Sequence, residues 1–404
     1  MGDSERVVDW SDLPTELLPA IGKSLDTRID VLRFRSVCTS WRSSIPPFHP
    51  NSPHFPLKFP NLYAYGATST DPPPSAPRHP AILCQSTLYH IQPLNPPSTS
   101  SSWSNKGWLM KVEESDSGKL RLENPMLSNR DHRVIRYNIL KPKTLNLLNF
   151  RVVELTKAYT LRFQFPGGPI NPFSFVNKLV VFPNSAWTNA DECSILMIFG
   201  DGKLGFAKCG DEKLTLVDGS SNYDDIIVYK GQFYVVDRLG IVSWVDCSSL
   251  KLVPFLPPLC GLGSRKHLVE SCGSLYVVDR YIDGERCFEF DIDDGYTCSK
   301  VVGFEVYKLD EEWGRWVLVK SLGDQAFVLS SDCSFSVSAR EFSGYKGDYI
   351  HFTDDNHQRL VFHLKDHSIH DLAFSLHHSE PLWPPQLNEC EYEGVAESAG
   401  DYAL

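Results

Sequence analysis

The side chains with the most obvious chemical potential are His363, His367 and His370, spaced H-x-x-x-H-x-x-H in the run F-H-L-K-D-H-S-I-H. Three imidazoles can ligate zinc when they converge on one point. Here the surrounding pattern reads strand, turn, strand, which sets His363 and His367 across a turn rather than on one helix face. A polar turn decorated with histidines is the reading, and His377-His378 is a loop pair of the same kind. Carboxylates are plentiful at Asp224-Asp225, Asp291, Asp293-Asp294, Asp310-Glu311-Glu312 and Asp354-Asp355. The run D-I-D-D-G at 291–295 resembles the start of a calcium loop, but Val302 stands where the bidentate Glu is required. These clusters read as acidic β-turns, with Asp and Gly supplying turn chemistry. Gly200-Asp-Gly202 and Gly261-Leu-Gly263 do not lead into a helix start, so neither is a phosphate loop. No G-x-S-x-G or paired Cys/His signature occurs. The sequence therefore assigns no catalytic residue, no metal site and no cofactor.

The patterned residues instead point to a partner. Between 10 and 45, Leu13, Leu17, Leu18, Ile21 and Leu25 recur at helical spacing. Ser11 and Asp12 are good N-cap types, and Pro14 suits a first helical turn. Further apolar stripes follow in Val31, Leu32 and Phe34, then in Val37, Cys38 and Trp41, with Ile45 one turn on. Three short helices bury too little surface to stand alone. Apolar faces in excess of an internal core predict an obligate partner surface.

Order and spacing of Leu13-Pro14, Glu16-Leu17-Leu18, Ile21 and Leu32-x-Arg-x-x-Val37-Cys38-x-x-Trp41-Arg42 resemble an F-box. That resemblance implies docking on a Skp1-like adaptor, and through it a cullin, with Leu13, Pro14, Leu17, Leu18, Ile21, Leu32, Val37, Cys38 and Trp41 at the interface.

Bulk properties constrain the rest. A net charge of −11 over 404 residues, with no local basic stripe, argues against nucleic-acid or anionic-membrane binding. Arg33, Arg35 and Arg42 belong to the helical N-terminus. The first ten residues hold no signal-peptide core, and Arg6 spoils a myristoylation reading of Gly2. No apolar run approaches membrane-spanning length, and no N-x-S/T acceptor is present. Eleven scattered cysteines form no C-x-x-C pair. Cys193, Cys272, Cys287, Cys298 and Cys333 sit in or beside strand-like runs and read as buried small apolar groups. The expectation is an intracellular soluble protein in a reducing compartment, nuclear or cytoplasmic.

Organisation follows from punctuation. Six prolines between 46 and 60 exclude helix and predict a semi-rigid connector over 47–60 that fixes the helical segment (9–46) against the rest of the chain. The stretches 71–80, 95–105 and 165–173 read as loops, and 388–404 as an acidic disordered tail. From 61 to 387 the chain shows short runs rich in Val, Ile, Phe, Tyr and Trp, such as L-V-V-F at 179–182 and S-I-L-M-I-F at 194–199. A weak repeat, Gly followed by an apolar strand ending in an acid or Thr, recurs from Gly107, Gly231, Gly273 and Gly347. A spacing of about forty residues between Gly231 and Gly273 is blade-sized. The predicted architecture is an α+β multi-domain chain: a small three-helix module, then a large all-β domain built as a β-propeller. Trp244 and Trp316 read as blade core. Trp103 and Trp187, in Ser/Asn-rich loops, read as exposed protein-binding anchors for a client.

The β region is also similar to the F-box-associated domain of the plant SKIP23-like family of kelch-like F-box proteins. The matching pieces include Gly107-Trp108-Leu109, Leu122-x-Asn124-Pro125-x-x-Ser128, Lys178–Phe182, Tyr229–Asp237, Leu322–Phe327, Phe335–Ala339, Tyr345-Lys-Gly347, Phe352–Asp355 and Trp383-Pro-Pro385. Membership implies a non-catalytic receptor of a cullin-based (SCF) ubiquitin ligase that binds a client protein. A regulator acting without a client, or a propeller that holds a small ligand or metal, stay open as alternatives.

Overall fold

The computed structural model describes residues 13–59, 81–94, 106–114, 120–123, 125–126, 149–163, 171–172, 176–200, 202–211, 214–218, 222–255, 257–259, 261–283, 300–342, 344–354 and 358–371. Three short helices open the chain: α1 (Leu18–Lys23), α2 (Arg28–Ser36) and α3 (Thr39–Ser44). Pro14–Leu17 form a turn closed by Leu17 N–H donating to the Pro14 carbonyl (3.1 Å). The first helix is thus shorter than the apolar stripe predicts, and Pro19, not Pro14, occupies its first turn. Thr27 caps α2 by accepting from the Asp30 N–H.

Five sheets come next, antiparallel but for one strand pair. The first holds β1 (Leu57–Phe59), β2 (Ala81–Pro93), β3 (Trp108–Glu114), β4 (Leu120–Glu123), β5 (Phe150–Phe163) and β6 (Asn171–Pro172), ordered β4-β3-β2-β5-β6 with β1 against β2. The second is β7 (Val176–Phe182), β8 (Ser194–Phe199), β9 (Lys203–Lys208) and β10 (Thr215–Asp218). The third is β11 (Tyr223–Tyr229), β12 (Gln232–Asp237), β13 (Val242–Asp246) and β14 (Lys251–Pro254). The fourth is β15 (Arg265–Ser271), β16 (Ser274–Asp283), β17 (Lys300–Asp310) and β18 (Arg315–Val319). The fifth, ordered β20-β19-β21-β22-β23, uses β19 (Gln325–Leu329), β20 (Ser334–Ser338), β21 (Tyr349–Thr353), β22 (Arg359–His363) and β23 (Ile369–Asp371), with β19 and β21 parallel.

These sheets are the blades of a five-bladed β-propeller, and strand periodicity explains why. On β12, Phe233 and Val235 point into the core shared with the second blade, while Tyr234 and Val236 point into the core shared with the fourth. On β8, Ile195 and Met197 face the first blade, and Leu196 and Ile198 face the third. A strand buried on both faces must be apolar at every position, hence the unbroken S-I-L-M-I-F. The ring closes where Ala326, Phe335 and Val337 of the fifth blade meet Leu88 and Leu109 of the first.

The glycine repeat is partly a blade repeat. Gly231 and Gly273 occupy the same place in the β11–β12 and β15–β16 turns, each after a second positive-φ residue, Lys230 or Cys272. Two consecutive positive φ values are what a tight hairpin of right-handed twist requires. Gly107 and Gly347 instead precede β3 and β21, strands in other positions, because the first and fifth sheets are not simple four-strand meanders.

Other expectations are corrected. Asp224 and Asp225 are strand residues, not turn residues: Asp224 Oδ2 accepts from Lys266 N–H (2.9 Å) and Asp225 Oδ2 from Leu268 N–H (2.7 Å), joining the third blade to the fourth. Cys193 and Cys333 are buried as expected, but Cys272 sits exposed in its turn. Cys287, Cys298, the run 291–295, His377-His378, Trp383 and the tail lie outside the described residues. The Pro-rich connector runs from the helices to the first blade. It ends in β1, and Phe55 and Leu57 pack on the core between the first two blades.

Candidate functional site

The helices have three distinct surfaces. Inward, Leu18, Val31, Phe34, Trp41 and Ile45 form a small core with the Phe34 and Trp41 rings 4.6 Å apart. A Cβ on Gly22 would meet Ile45 Cδ1 at 2.6 Å, so α1 reaches α3 only as glycine. Arg35 donates to the carbonyls of Arg42 (2.7 Å) and Ile45, and Arg42 Nε donates back to the Arg35 carbonyl (3.2 Å). These bonds tie α2 to α3.

A second surface meets the propeller. The β7–β8 connection inserts Ala186 and Trp187 into the helical core. Ala186 N–H donates to the Asp26 carbonyl (2.8 Å), its own carbonyl accepts from His49 N–H (3.1 Å), and Ala190 N–H donates to the Asn51 carbonyl (2.7 Å). The Trp187 indole N–H donates to the Leu25 carbonyl (2.8 Å). Arg33 donates to the Val152 carbonyl on β5, and Ile29 packs against Ile91, Phe150 and Val152. Arg28 donates to the Pro53 carbonyl (2.7 Å), and burial lowers its pKa against the opposing pull of Glu114 and Glu154. Module and first two blades are joined by a continuous, hydrogen-bonded seam.

On the third surface, four apolar side chains of the module are left uncovered by the described residues. Leu17, Ile21, Leu32 and Val37 are 49%, 38%, 49% and 49% exposed, beside exposed Pro14. Leu17 and Ile21 lie one turn apart on α1 and so share a face. Leu13 and Cys38 are half-buried. Each half-exposed side chain stands to gain on the order of 1 kcal/mol on burial. Of the nine helical residues predicted at a partner interface, Leu18 and Trp41 lie in the internal core. The pattern at 10–45 is shared between folding the module and leaving a face uncovered.

Trp187 is also placed differently from the expectation. Its indole lies in the seam, half-buried against the helices. Trp103 lies outside the described residues. Trp244 and Trp316 pack in the core between the third and fourth blades. Among the described residues the most exposed indole is that of Trp313, in the β17–β18 turn. Sequence reading passed it over because it falls among acidic turn residues.

The propeller interior is charged but paired. A cavity of about 460 Å³ lies among β5, β7, β11 and residues 332–334, rimmed by Asp26, Asn184 and Ser185. Beside it Lys178 pairs with Asp225 and Lys111 with Asp332, both at 2.5 Å. Burial lowers the Lys111 pKa, but Asp332, Cys333 and Glu123 together outweigh it and the net shift is upward. Arg162 grips Glu113 with both guanidinium arms and lies 3.9 Å from Glu123. The glycine pair 261/263 cradles a carboxylate, not a phosphate: Cβ atoms there would meet the Asp279 oxygens at 2.2 and 2.1 Å. Asp279 in turn pairs with buried Lys266 at 3.3 Å. His363 bonds Asp366 (2.9 Å) and stacks on Tyr349, while His367 sits in a positive-φ turn, as a strand–turn–strand reading requires. Among the described residues no group of three or more His, Cys, Asp or Glu is arranged to hold a metal. No helix among them is long and apolar enough to cross a membrane.

The family model for the KIB1-4 beta-propeller matches residues 81–371, from the start of β2 to the end of β23. The chain belongs to that family. Three Arabidopsis thaliana relatives are similar over most of the chain. F-box protein SKIP23 is 34% identical over 83% of this chain and 81% of its own length. F-box protein At4g35733 is 31% identical over 95% and 99%, and F-box protein At2g26160 is 29% identical over 88% and 98%. The SKIP23-like resemblance of the β region and the propeller architecture are both borne out.

Proposed function

We propose that the protein is the substrate-recruiting subunit of an SCF-type ubiquitin ligase. Its helical module is an F-box that docks on a Skp1-like adaptor, and its propeller holds a client protein. The observation that carries this reading is the exposed set Leu17, Ile21, Leu32 and Val37 on a module whose own core is already filled. The names of the relatives agree with it. Pro14, Leu13 and Cys38 complete the docking face.

In this role the chain does no bond chemistry. It raises the effective concentration of client lysines near a charged ubiquitin-conjugating enzyme. Such proximity is useful only if the client is held at a fixed place relative to the adaptor. The seam through Trp187, Ala186 and Arg33 supports that rigidity.

The test is affinity purification of the intact chain from plant extract. A Skp1-like adaptor and a cullin are expected with the wild type and absent with Leu17→Asp/Leu32→Asp. Purification without an adaptor, or with one that ignores the substitution, contradicts the assignment.

A further inference from the structure

Cys193 immediately precedes β8, and Cys209 immediately follows β9. The two strands pair antiparallel, with Ser194 opposite Lys208 at this end. The ladder runs one step further, because Cys209 N–H donates to the Cys193 carbonyl (2.8 Å). The two cysteines therefore stand directly opposite each other. Both pack on the core between the first two blades, and their thiols share a hydrogen bond. Both are free thiols, Cys193 buried and Cys209 half-buried. Of the other described cysteines only Cys84 lies in a strand, opposite Thr160.

Opposite residues of a hydrogen-bonded antiparallel pair have Cα atoms about 5.5 Å apart, a span that a disulfide bridges. Their Cβ atoms stand about 4.5–5.5 Å apart, against about 3.8 Å in a disulfide. Closing the bond draws the strand ends together by roughly 1 Å. A bond closed under strain is readily reduced again.

The movement reaches the helices through one connection. Cys193 ends the segment between β7 and β8, which carries Ala186 and Trp187 into the helical core. Its thiol donates to the Pro183 carbonyl (3.1 Å) and so clasps the two ends of that segment. Cys193 N–H donates to the Ala190 carbonyl (3.1 Å) inside it. A disulfide has no S–H, so its formation removes the bond to Pro183.

We propose that Cys193 and Cys209 form a reversible dithiol–disulfide switch, and that closing it loosens the β7–β8 connection. This reaches beyond the receptor reading and holds whatever the helices bind. The oxidant is a hydroperoxide. The hydrogen bond from Cys209 lowers the Cys193 pKa, against burial and Glu192, so the pair gives up one proton more easily than an isolated buried thiol. Moving the remaining proton across the S–H···S bond puts the charge on Cys209, the more accessible sulfur. That thiolate attacks the peroxide O–O bond and becomes a sulfenic acid. For hydrogen peroxide the hydroxide released recovers the lost proton as water. Cys193 sulfur then attacks Cys209 sulfur, the S–O bond breaks, and hydroxide leaves with the Cys193 proton as a second water. Two thiols lose two electrons, and the peroxide gains them.

The test treats the full chain with hydrogen peroxide, blocks the remaining thiols with N-ethylmaleimide, and maps linkages by non-reducing peptide mass spectrometry. A Cys193–Cys209 linkage is expected, and dithiothreitol should remove it. Amide exchange across 184–192 is expected to quicken about fivefold or more on oxidation, and to return on reduction. Cys209→Ser is nearly isosteric at a half-buried position and should abolish both the linkage and the change in exchange. Cys193→Ser keeps a donor for the Pro183 carbonyl and should exchange at the reduced rate with or without peroxide. Three results overturn the proposal: no Cys193–Cys209 linkage, a linkage that leaves exchange across 184–192 unchanged, or the same quickening in peroxide-treated Cys209→Ser.

Discussion

The indole N–H of Trp187 donates to the carbonyl of Leu25 at 2.8 Å, across 162 residues of sequence. One end of this bond belongs to the blade connection β7–β8 and the other to the segment between α1 and α2. It turns two folding units into a single lever.

Loss of that contact should loosen the lever without unfolding the propeller. Trp187→Phe removes the hydrogen bond at a cost of about 1 kcal/mol. Trp187→Ala removes the packing as well, for roughly 2–3 kcal/mol. Hydrogen exchange is expected to speed up across residues 18–44 in both variants, more in the second, while β11–β17 keep wild-type protection.

Buried and exposed apolar residues of the module should behave oppositely. Trp41→Ala opens a cavity against Phe34 and should cost about 3–5 kcal/mol, enough to melt the helices locally. Leu32→Asp should leave the melting temperature within about 1 °C of wild type. Thermal melts followed by helical circular dichroism check both.

The Lys111–Asp332 pair clasps the first blade to the fifth, with both side chains fully buried. Lys111→Met strands a carboxylate and should destabilise by about 3–5 kcal/mol. The double variant Lys111→Met/Asp332→Leu should recover most of that loss, because neither charge is then left unpaired. Calorimetric melting of the two variants tests it.

Glu123 makes stability depend on pH. Around it two cations, Lys111 and Arg162, face three acids, Asp332, Glu113 and Glu123 itself. Burial first, and Glu113 after the opposing effect of Lys111, push its pKa from 4.5 up to about 7. The folded state therefore holds a proton that the unfolded chain releases at lower pH. The contribution is complete below about pH 4.5 and is lost as pH rises to about 7, for roughly 3 kcal/mol at most. Glu123→Gln should be more stable than wild type at pH 8, with little difference at pH 4.5. Equal melting temperatures at pH 8 would remove the charge argument.

How much of this was legible in sequence depended on whether a residue's role is local. Strand periodicity and the turn glycines Gly231 and Gly273 encode a propeller because alternation and positive φ are properties of neighbouring residues. The helical stripes were equally visible. What pattern could not separate was which apolar residues the module keeps for itself: Leu17 and Leu18 are adjacent and look alike, yet one is exposed and the other buried. Trp187 misled for the same reason, since its partner Leu25 is supplied by a distant segment. Asp225 looked like a turn residue because the inter-blade amide it serves is also remote in sequence.

The proposed function turns on whether the exposed apolar residues of the helices bind a Skp1-like adaptor. The most direct measurement is the dissociation constant of the intact protein for a purified adaptor, compared among wild type, Leu17→Asp, Leu32→Asp and Leu318→Lys. A loss of about 100-fold or more, near 2.7 kcal/mol, is expected for the two helical substitutions and none for Leu318→Lys. Wild-type affinity in Leu17→Asp and Leu32→Asp would contradict it.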